Sequence, residues 1–228
     1  MYKFFKRMFD IIFSFFGIIV LFLPMLILAL LIKIDSKGPV FFKQKRIGKN
    51  KKTFIILKFR TMRTDTPHDA PTHELVDPKK WITKFGSFLR KTSLDELPQM
   101  FNIFVGQMSV IGPRPALWNQ FDLISERDKY GANNVRPGLT GWAQINGRDE
   151  LEIEEKAKLD GEYVAKIGFW FDCKCFFGTI FSVLKRKGVV EGGTGELKKQ
   201  KNENSSENIK TPEPLEEVAI TNEREDNK

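Results

Sequence analysis

Cysteine is nearly missing from this chain of 228 residues, with only Cys173 and Cys175 present. Two residues apart, they are too close for an ordinary structural disulfide, and there is no further pair to complete a zinc site. The remaining reading is two reduced thiols on an aromatic segment. The chain also lacks an internal repeat and a second membrane-length apolar run, which excludes a solenoid and a multi-span bundle. Acidic side chains are outnumbered, 29 against 37 basic, for a net charge of +8. The stretch from Lys198 to Lys228 holds six basic and eight acidic residues and carries −2, so the rest carries +10. A basic body favours anionic partners: nucleic acid, an anionic membrane surface or phosphorylated small molecules.

The one long apolar run covers Ile11 to Ile32, 22 residues without a charge. As a straight helix it would be about 33 Å long, close to the apolar thickness of a bilayer. Lys3, Lys6 and Arg7 precede it, and Lys33, Lys37, Lys43, Lys45 and Arg46 follow, so the positive-inside bias draws both ends to the same face. Pro24 removes a backbone hydrogen bond past the middle of the run, which predicts a kink. The combination favours a re-entrant helix over a true span. The run is longer than a signal-peptide core and no small-residue cleavage site follows, so the segment is expected to be retained.

Residues 1–35 are therefore read as a membrane anchor, 36–190 as one catalytic domain and 191–228 as a disordered polar tail. Pro39-Val40-Phe41-Phe42 and Phe54 to Phe59 predict two strands joined by a basic turn over Lys45 to Asn50. Arg63 to Glu74 reads as a loop. Trp81, Ile82, Phe85, Phe88 and Leu89 recur at helical spacing, as a core stripe or an interfacial face. Phe169-Trp170-Phe171 and the apolar residues up to Leu184 lead into Lys185-Arg186-Lys187, an order suited to a membrane interface. The expected fold class is α/β or α+β, dominated by helices, with a small antiparallel sheet and amphipathic helices in the interface plane.

The most informative residues are the adjacent acids Asp95 and Glu96. A carboxylate is a nucleophile toward phosphorus, and a second beside it can hold a divalent cation against a phosphate. The plainer alternative is helix capping. Ser93 and Glu96 have capping-box spacing, and Asp95 would cap a helix that starts with Glu96, Leu97 and Pro98. Both roles are compatible, because a helix N-terminus also attracts anions. Rigid loops carry arginines: Gly112-Pro113-Arg114-Pro115, Arg136-Pro137-Gly138 and Gly147-Arg148. The planar guanidinium suits phosphate oxygens.

Four stretches in order, Lys58 to Met62, Ser93 to Gln99, Met108 to Pro115 and Arg136 to Arg148, closely resemble the bacterial sugar transferase family, in its small monotopic polyprenyl-phosphate phosphoglycosyl transferase form. The resemblance runs from about Lys3 to Gly188. It implies a re-entrant anchor at the cytoplasmic face of the bacterial inner membrane, surrounded by membrane lipids. It implies transfer of a sugar-1-phosphate from a UDP-sugar to undecaprenyl phosphate with release of UMP, through an aspartyl-phosphosugar, with Mg²⁺ as cofactor. By motif position Asp95 would be the nucleophile and Glu96 the metal ligand. Arg90 and Arg114 would meet phosphates, as would Lys58, Arg136 and Arg148 by motif position alone. One departure is Leu23-Pro24, where the family often has Ser-Pro, so a hydroxyl able to bond a freed carbonyl is absent. A nucleic-acid partner is not expected. The competing readings are a membrane-tethered nucleic-acid or scaffold protein and an Asp-dependent phosphohydrolase.

Overall fold

The computed structural model describes residues 1–67, 77, 80–147 and 151–184, apart from the side chains of 183 and 184. The chain opens with one long helix, α1 (Tyr2–Asp35), followed by the strands β1 (Phe41–Ile47) and β2 (Thr53–Phe59). Then come α2 (Lys84–Thr92), α3 (Gln99–Phe104), β3 (Ser109–Ile111) and α4 (Phe121–Asp128). β4 (Gly138–Thr140), α5 (Trp142–Ile145), α6 (Ile153–Ala165) and α7 (Phe169–Leu184) complete the described order. β1 and β2 form the expected antiparallel hairpin, and β3 and β4 form a short parallel pair. Helices dominate.

α1 remains one helix through Pro24, so the predicted kink does not interrupt it. Its inward residues are Asp10, Ser14, Ile18, Leu21, Met25, Leu28 and Ile32, spaced by three or four along its length. That spacing is a single stripe on a 3.6-residue helix. Near its start, Asp10 Oδ1 accepts from the Val110 N–H at 2.9 Å and from Ser109 Oγ at 3.0 Å. At its end, Met25, Leu28 and Ile32 pack with Phe59 and Leu89, while Arg60 donates to the carbonyls of Ser36 and Lys37, both at 2.7 Å. Both ends of the apolar helix thus rest on the same body. The other side of α1 is bare, with Phe16, Val20, Leu23 and Leu30 more than half exposed. The bare side of α7 adds Trp170, Phe177 and Phe181. An apolar surface of this extent has no counterpart on an ordinary water-soluble monomer.

Several local expectations are corrected. The hairpin pairs from Phe41↔Phe59 to Ile47↔Thr53, so Lys45 and Arg46 are strand residues and the turn contracts to Gly48–Lys52. The reason is that the ladder continues while each backbone group finds a partner, whatever charge its side chain carries. Trp81 and Ile82 lie outside α2, because Thr83 is its N-cap, accepting from the Gly86 N–H at 3.0 Å. Ile82 instead bridges Met62. Of the aromatic stripe, Phe85 packs into the core with Leu89, while Phe88 is about half exposed. Cys173 and Cys175 are free thiols. Most of the Arg63–Glu74 loop, the Lys185 to Lys187 run and the tail lie outside the described residues.

Candidate active site

Lys58 reaches the site from β2. Side chains alternate along a strand, so Lys58 shares a face with Phe54 and Ile56, which pack on Met100 and Ile103 of α3. Phe59 points the other way, under α1. Asn102, inside the apolar run Met100 to Phe104, fixes α3 to β2. Its Oδ1 accepts from the Leu57 N–H at 2.9 Å and its Nδ2 donates to the Ile55 carbonyl at 2.8 Å. This side chain acts as a substitute strand partner along the β2 edge.

α2 supplies the other wall. A Cβ at Gly86 would lie 2.1 Å from the Thr61 carbonyl oxygen, so only glycine lets this helix approach the Arg60-Thr61-Met62 segment so closely. The approach allows Arg90 Nε to donate to Thr61 Oγ1 at 2.9 Å. α2 ends at Ser93 in the left-handed region, φ 57° and ψ 17°, a conformation costing a non-glycine residue roughly 1–2 kcal/mol. The reversal leads into a 3₁₀ turn over Leu94–Glu96. Residues three apart eclipse on such a turn, so Leu94 and Leu97 both enter the core under α1, and the acids between them occupy the opposite side. The capping expectation is not met. Ser93 makes no side-chain cap, and the next helix starts at Gln99 behind Pro98, too late for Asp95 to satisfy its first amides.

The two acids sit in contrasting environments. Glu96 Oε1 accepts from Lys58 Nζ at 2.9 Å and from the Arg114 guanidinium at 2.6 Å. Burial works to raise the pKa of Glu96, but the charges and hydrogen bonds of Arg114 and Lys58 outweigh it and hold the carboxyl well below the usual range. Asp95 is 9% exposed. Burial pushes its pKa up, with Glu96 adding to the rise, against the opposing pull of Lys58, Arg90 and Arg114. The two adjacent carboxyls are thus shifted in opposite directions, Glu96 down and Asp95 up, a pattern typical of working acid pairs.

Arg114 is carried here by a rigid crossing. The Gly112 N–H donates to the Thr140 carbonyl and the Gly138 N–H to the Pro113 carbonyl, both at 2.8 Å. A Cβ on Gly138 would lie 2.1 Å from the Gly112 nitrogen. The proline-flanked arginine is therefore held where two backbones nearly touch.

Five of the anticipated residues converge: Lys58, Arg90, Asp95, Glu96 and Arg114. Arg136 goes elsewhere, donating from Nε to the Gly106 carbonyl at 2.9 Å and facing Arg7. Arg148 lies outside the described residues. Sequence reasoning missed Thr61, Gly86, Asn102 and Asp10. For Asn102 a signal existed, since a lone amide within an apolar run needs a buried partner.

Among the described residues no group of three or more metal-ligating side chains occurs. Magnesium does not require one, because it keeps several waters and binds through one or two carboxylates together with substrate phosphates. Asp95 and Glu96 are the two carboxylates of this site that would hold such an ion together with a substrate phosphate.

The site is thus a buried carboxyl facing a cationic wall, on a body that also carries a large exposed apolar surface. Residues 1–186 match the profile described as "Bacterial sugar transferase", and the chain belongs to that family. It is 38% identical to the uncharacterized sugar transferase EpsL of Bacillus subtilis over 186 residues, covering 82% of this chain and 90% of that one. It is 40% identical to the exopolysaccharide production protein PSS of Rhizobium leguminosarum bv. phaseoli over 195 residues, 79% of this chain and 96% of the relative. Against the UDP-glucose:undecaprenyl-phosphate glucose-1-phosphate transferase of Escherichia coli, identity is 38% over 175 residues, 71% of this chain but only 36% of that larger protein.

Proposed function

We propose that this protein transfers a sugar-1-phosphate from a UDP-sugar to undecaprenyl phosphate at the cytoplasmic face of the membrane, releasing UMP. The observation that carries the reading is the Asp95–Glu96 pair itself: one acid nearly buried, its neighbour clamped by Lys58 and Arg114, in a member of the sugar transferase family. Relatives bearing UDP-glucose:undecaprenyl-phosphate transferase names support the substrate classes.

In the first half-reaction an Asp95 oxygen attacks the β-phosphorus of the donor. The bond from that phosphorus to the bridging oxygen breaks, and UMP departs with the electron pair. In the second, an oxygen of the lipid phosphate attacks the same phosphorus and the bond to Asp95 breaks, restoring the carboxylate. One anion site thereby serves both substrates in turn, and ping-pong kinetics follow. Lys58 and Arg114 keep Glu96 ionised, and Arg90 and Arg114 offer positive charge to phosphate oxygens. Mg²⁺, held by Glu96 and the diphosphate, would neutralise charge that otherwise repels Asp95. A re-entrant α1 within one leaflet is supported by its contacts with the body at both ends and by its bare outer face, and it would hold Asp95 near the height of the lipid phosphate.

The test is UMP release from a panel of UDP-sugars by the membrane-bound protein with undecaprenyl phosphate and Mg²⁺. Without acceptor, one UMP per protein and a phosphosugar-sized mass increase on the peptide containing Asp95 are expected. Unchanged turnover by Asp95→Asn defeats the nucleophile assignment, and sugar phosphate released without lipid product would mark a hydrolase.

A further inference from the structure

A second cationic cavity lies away from the carboxylate pair, between the start of α1, β3, the hairpin tip and the loop before β4. Its volume is about 90 Å³, and Lys3, Lys6, Arg7, Lys49 and Arg136 line it together with Asp10. A single water needs only ~10–15 Å³ by the same kind of measure, so the cavity has room for a tetrahedral oxyanion. Lys3, Lys6, Arg7 and Asp10 follow the three-and-four spacing of one helix face, which turns this face of α1 inward.

The charge of this cavity is poorly balanced from within. Asp10 is engaged with Ser109 and Val110, and Lys6 is paired with Asp172 at 2.6 Å. Arg7 donates to the carbonyls of Ile103 and Phe104, at 2.7 and 2.8 Å, and Arg136 donates to that of Gly106. These acceptors are neutral, so they orient the two guanidiniums without cancelling their charge. The Arg136 charge bears directly on Arg7, an arrangement that an anion between them would relieve.

The surroundings of the cavity select the source of that anion. Phe4 and Phe9, on the same turns of α1 as the cationic residues, are 73% and 55% exposed, and Trp170, two residues before Asp172, is 82% exposed. Exposed aromatic residues beside inward-facing cations form the arrangement that holds a headgroup phosphate while its acyl chains lie against apolar side chains. An ion taken from solution would have no use for such a rim.

We propose that this cavity is a binding site for the phosphate of an anionic phospholipid, separate from the Asp95 centre and independent of the role given to Asp95. It would seat the start of α1 at a defined depth and orientation in the leaflet.

The test uses the full-length chain in neutral detergent, titrated with short-chain phosphatidylglycerol, phosphatidylcholine of the same chain length, or inorganic phosphate, with the thermal midpoint as readout. A saturable rise with phosphatidylglycerol is expected, no comparable rise with phosphatidylcholine, and inorganic phosphate binding at least about tenfold more weakly. The double variant Lys3→Glu/Lys49→Glu should lose roughly tenfold or more in phosphatidylglycerol affinity, since each basic group near an anionic lipid contributes about fivefold. Among the described residues neither lysine side chain makes a hydrogen bond, and both residues are exposed. A charge-matched control, Lys80→Glu/Lys158→Glu, and Asp95→Asn should both keep the response. The proposal fails if phosphatidylcholine acts equally, if inorganic phosphate binds as tightly as the lipid, if the control loses as much as the double variant, or if Asp95→Asn abolishes the response.

Discussion

Lys58 and Glu96 stand 38 positions apart in the sequence and 2.9 Å apart in the fold. That contact joins the end of a hairpin to a one-turn helix, and with Arg114 it decides the charge state of the acid next to the proposed nucleophile. Its consequences are open to measurement.

Asp95→Asn should lower UMP release at least about a thousandfold, as loss of a nucleophile does, while the protein stays membrane-bound. Without added metal the variant should also melt a few degrees higher at neutral pH. The folded pKa of Asp95 is raised, so the wild type loses stability relative to the variant as pH rises from the unfolded value near 3.9 through the folded one. The gain should therefore vanish at low pH. Thermal melts of both proteins across pH check this, and a gain that persists at pH 3 contradicts the burial argument.

Lys58→Met removes a cation that favours ionisation of both acids. The acid limb of kcat/KM should move to higher pH, with activity at neutral pH reduced roughly tenfold. Because Asp95 and Glu96 interact, the limb belongs to the pair. A profile scaled down without displacement along the pH axis would show that Lys58 acts only on substrate.

Asn102→Leu deletes two hydrogen bonds to the β2 backbone and leaves the Leu57 N–H and Ile55 carbonyl without that partner. Both bonds are partly buried, so each lost partner falls at the low end of the roughly 1–3 kcal/mol range, and chemical denaturation should show a loss of about 2 kcal/mol. Activity of the remaining folded protein should fall as well, because Lys58 and Glu96 are brought together across this junction.

Gly86→Ala forces α2 away from the Thr61 carbonyl. Helix propensity alone would make the change favourable by up to ~1 kcal/mol. The clash reverses the sign, and a net loss of about 1–3 kcal/mol is expected, in the range of overpacking. A stabilised variant would show that α2 does not press on the Arg60–Met62 segment as described.

Two leucines near the C-terminal end of α1 separate packing from membrane contact. Leu28, 9% exposed, lies in the core with Phe59 and Leu89, whereas Leu30 is 63% exposed. Leu28→Ala should cost about 2–5 kcal/mol in stability. Leu30→Ala should leave the melting transition in detergent within about 0.5 kcal/mol of wild type and weaken retention on vesicles. Equal destabilisation by both would mean that α1 is buried on all sides.

Much of the site was legible without coordinates. Asp95 and Glu96 stood out because one carboxylate can attack phosphorus while a second beside it holds a cation, and arginines set between prolines or glycines have few backbone choices. Arg136 shows the limit of such reading. Its loop is as rigid as that of Arg114, yet it emerges beside Arg7, because the β3–β4 crossing sends the two loops in different directions. The capping box over Ser93 to Glu96 misled for a related reason. Its spacing is a local pattern, whereas the left-handed turn at Ser93 is imposed by Leu94 and Leu97 seeking the core beneath α1.

The sequence by itself determined that an apolar helix precedes a basic body, that the hairpin, α1 and most of α2 lie where they do, and that Asp95 and Glu96 belong to a four-part motif, because all of these depend on periodicity and on neighbouring residues. Only the tertiary structure decided which cations meet which acid, that Asn102 and Gly86 set the spacing between β2, α2 and α3, and that both ends of α1 rest on one body. These are contacts between residues far apart in the chain, chosen by which buried polar groups can be satisfied together and how closely two backbones can approach, and no local pattern carries that information.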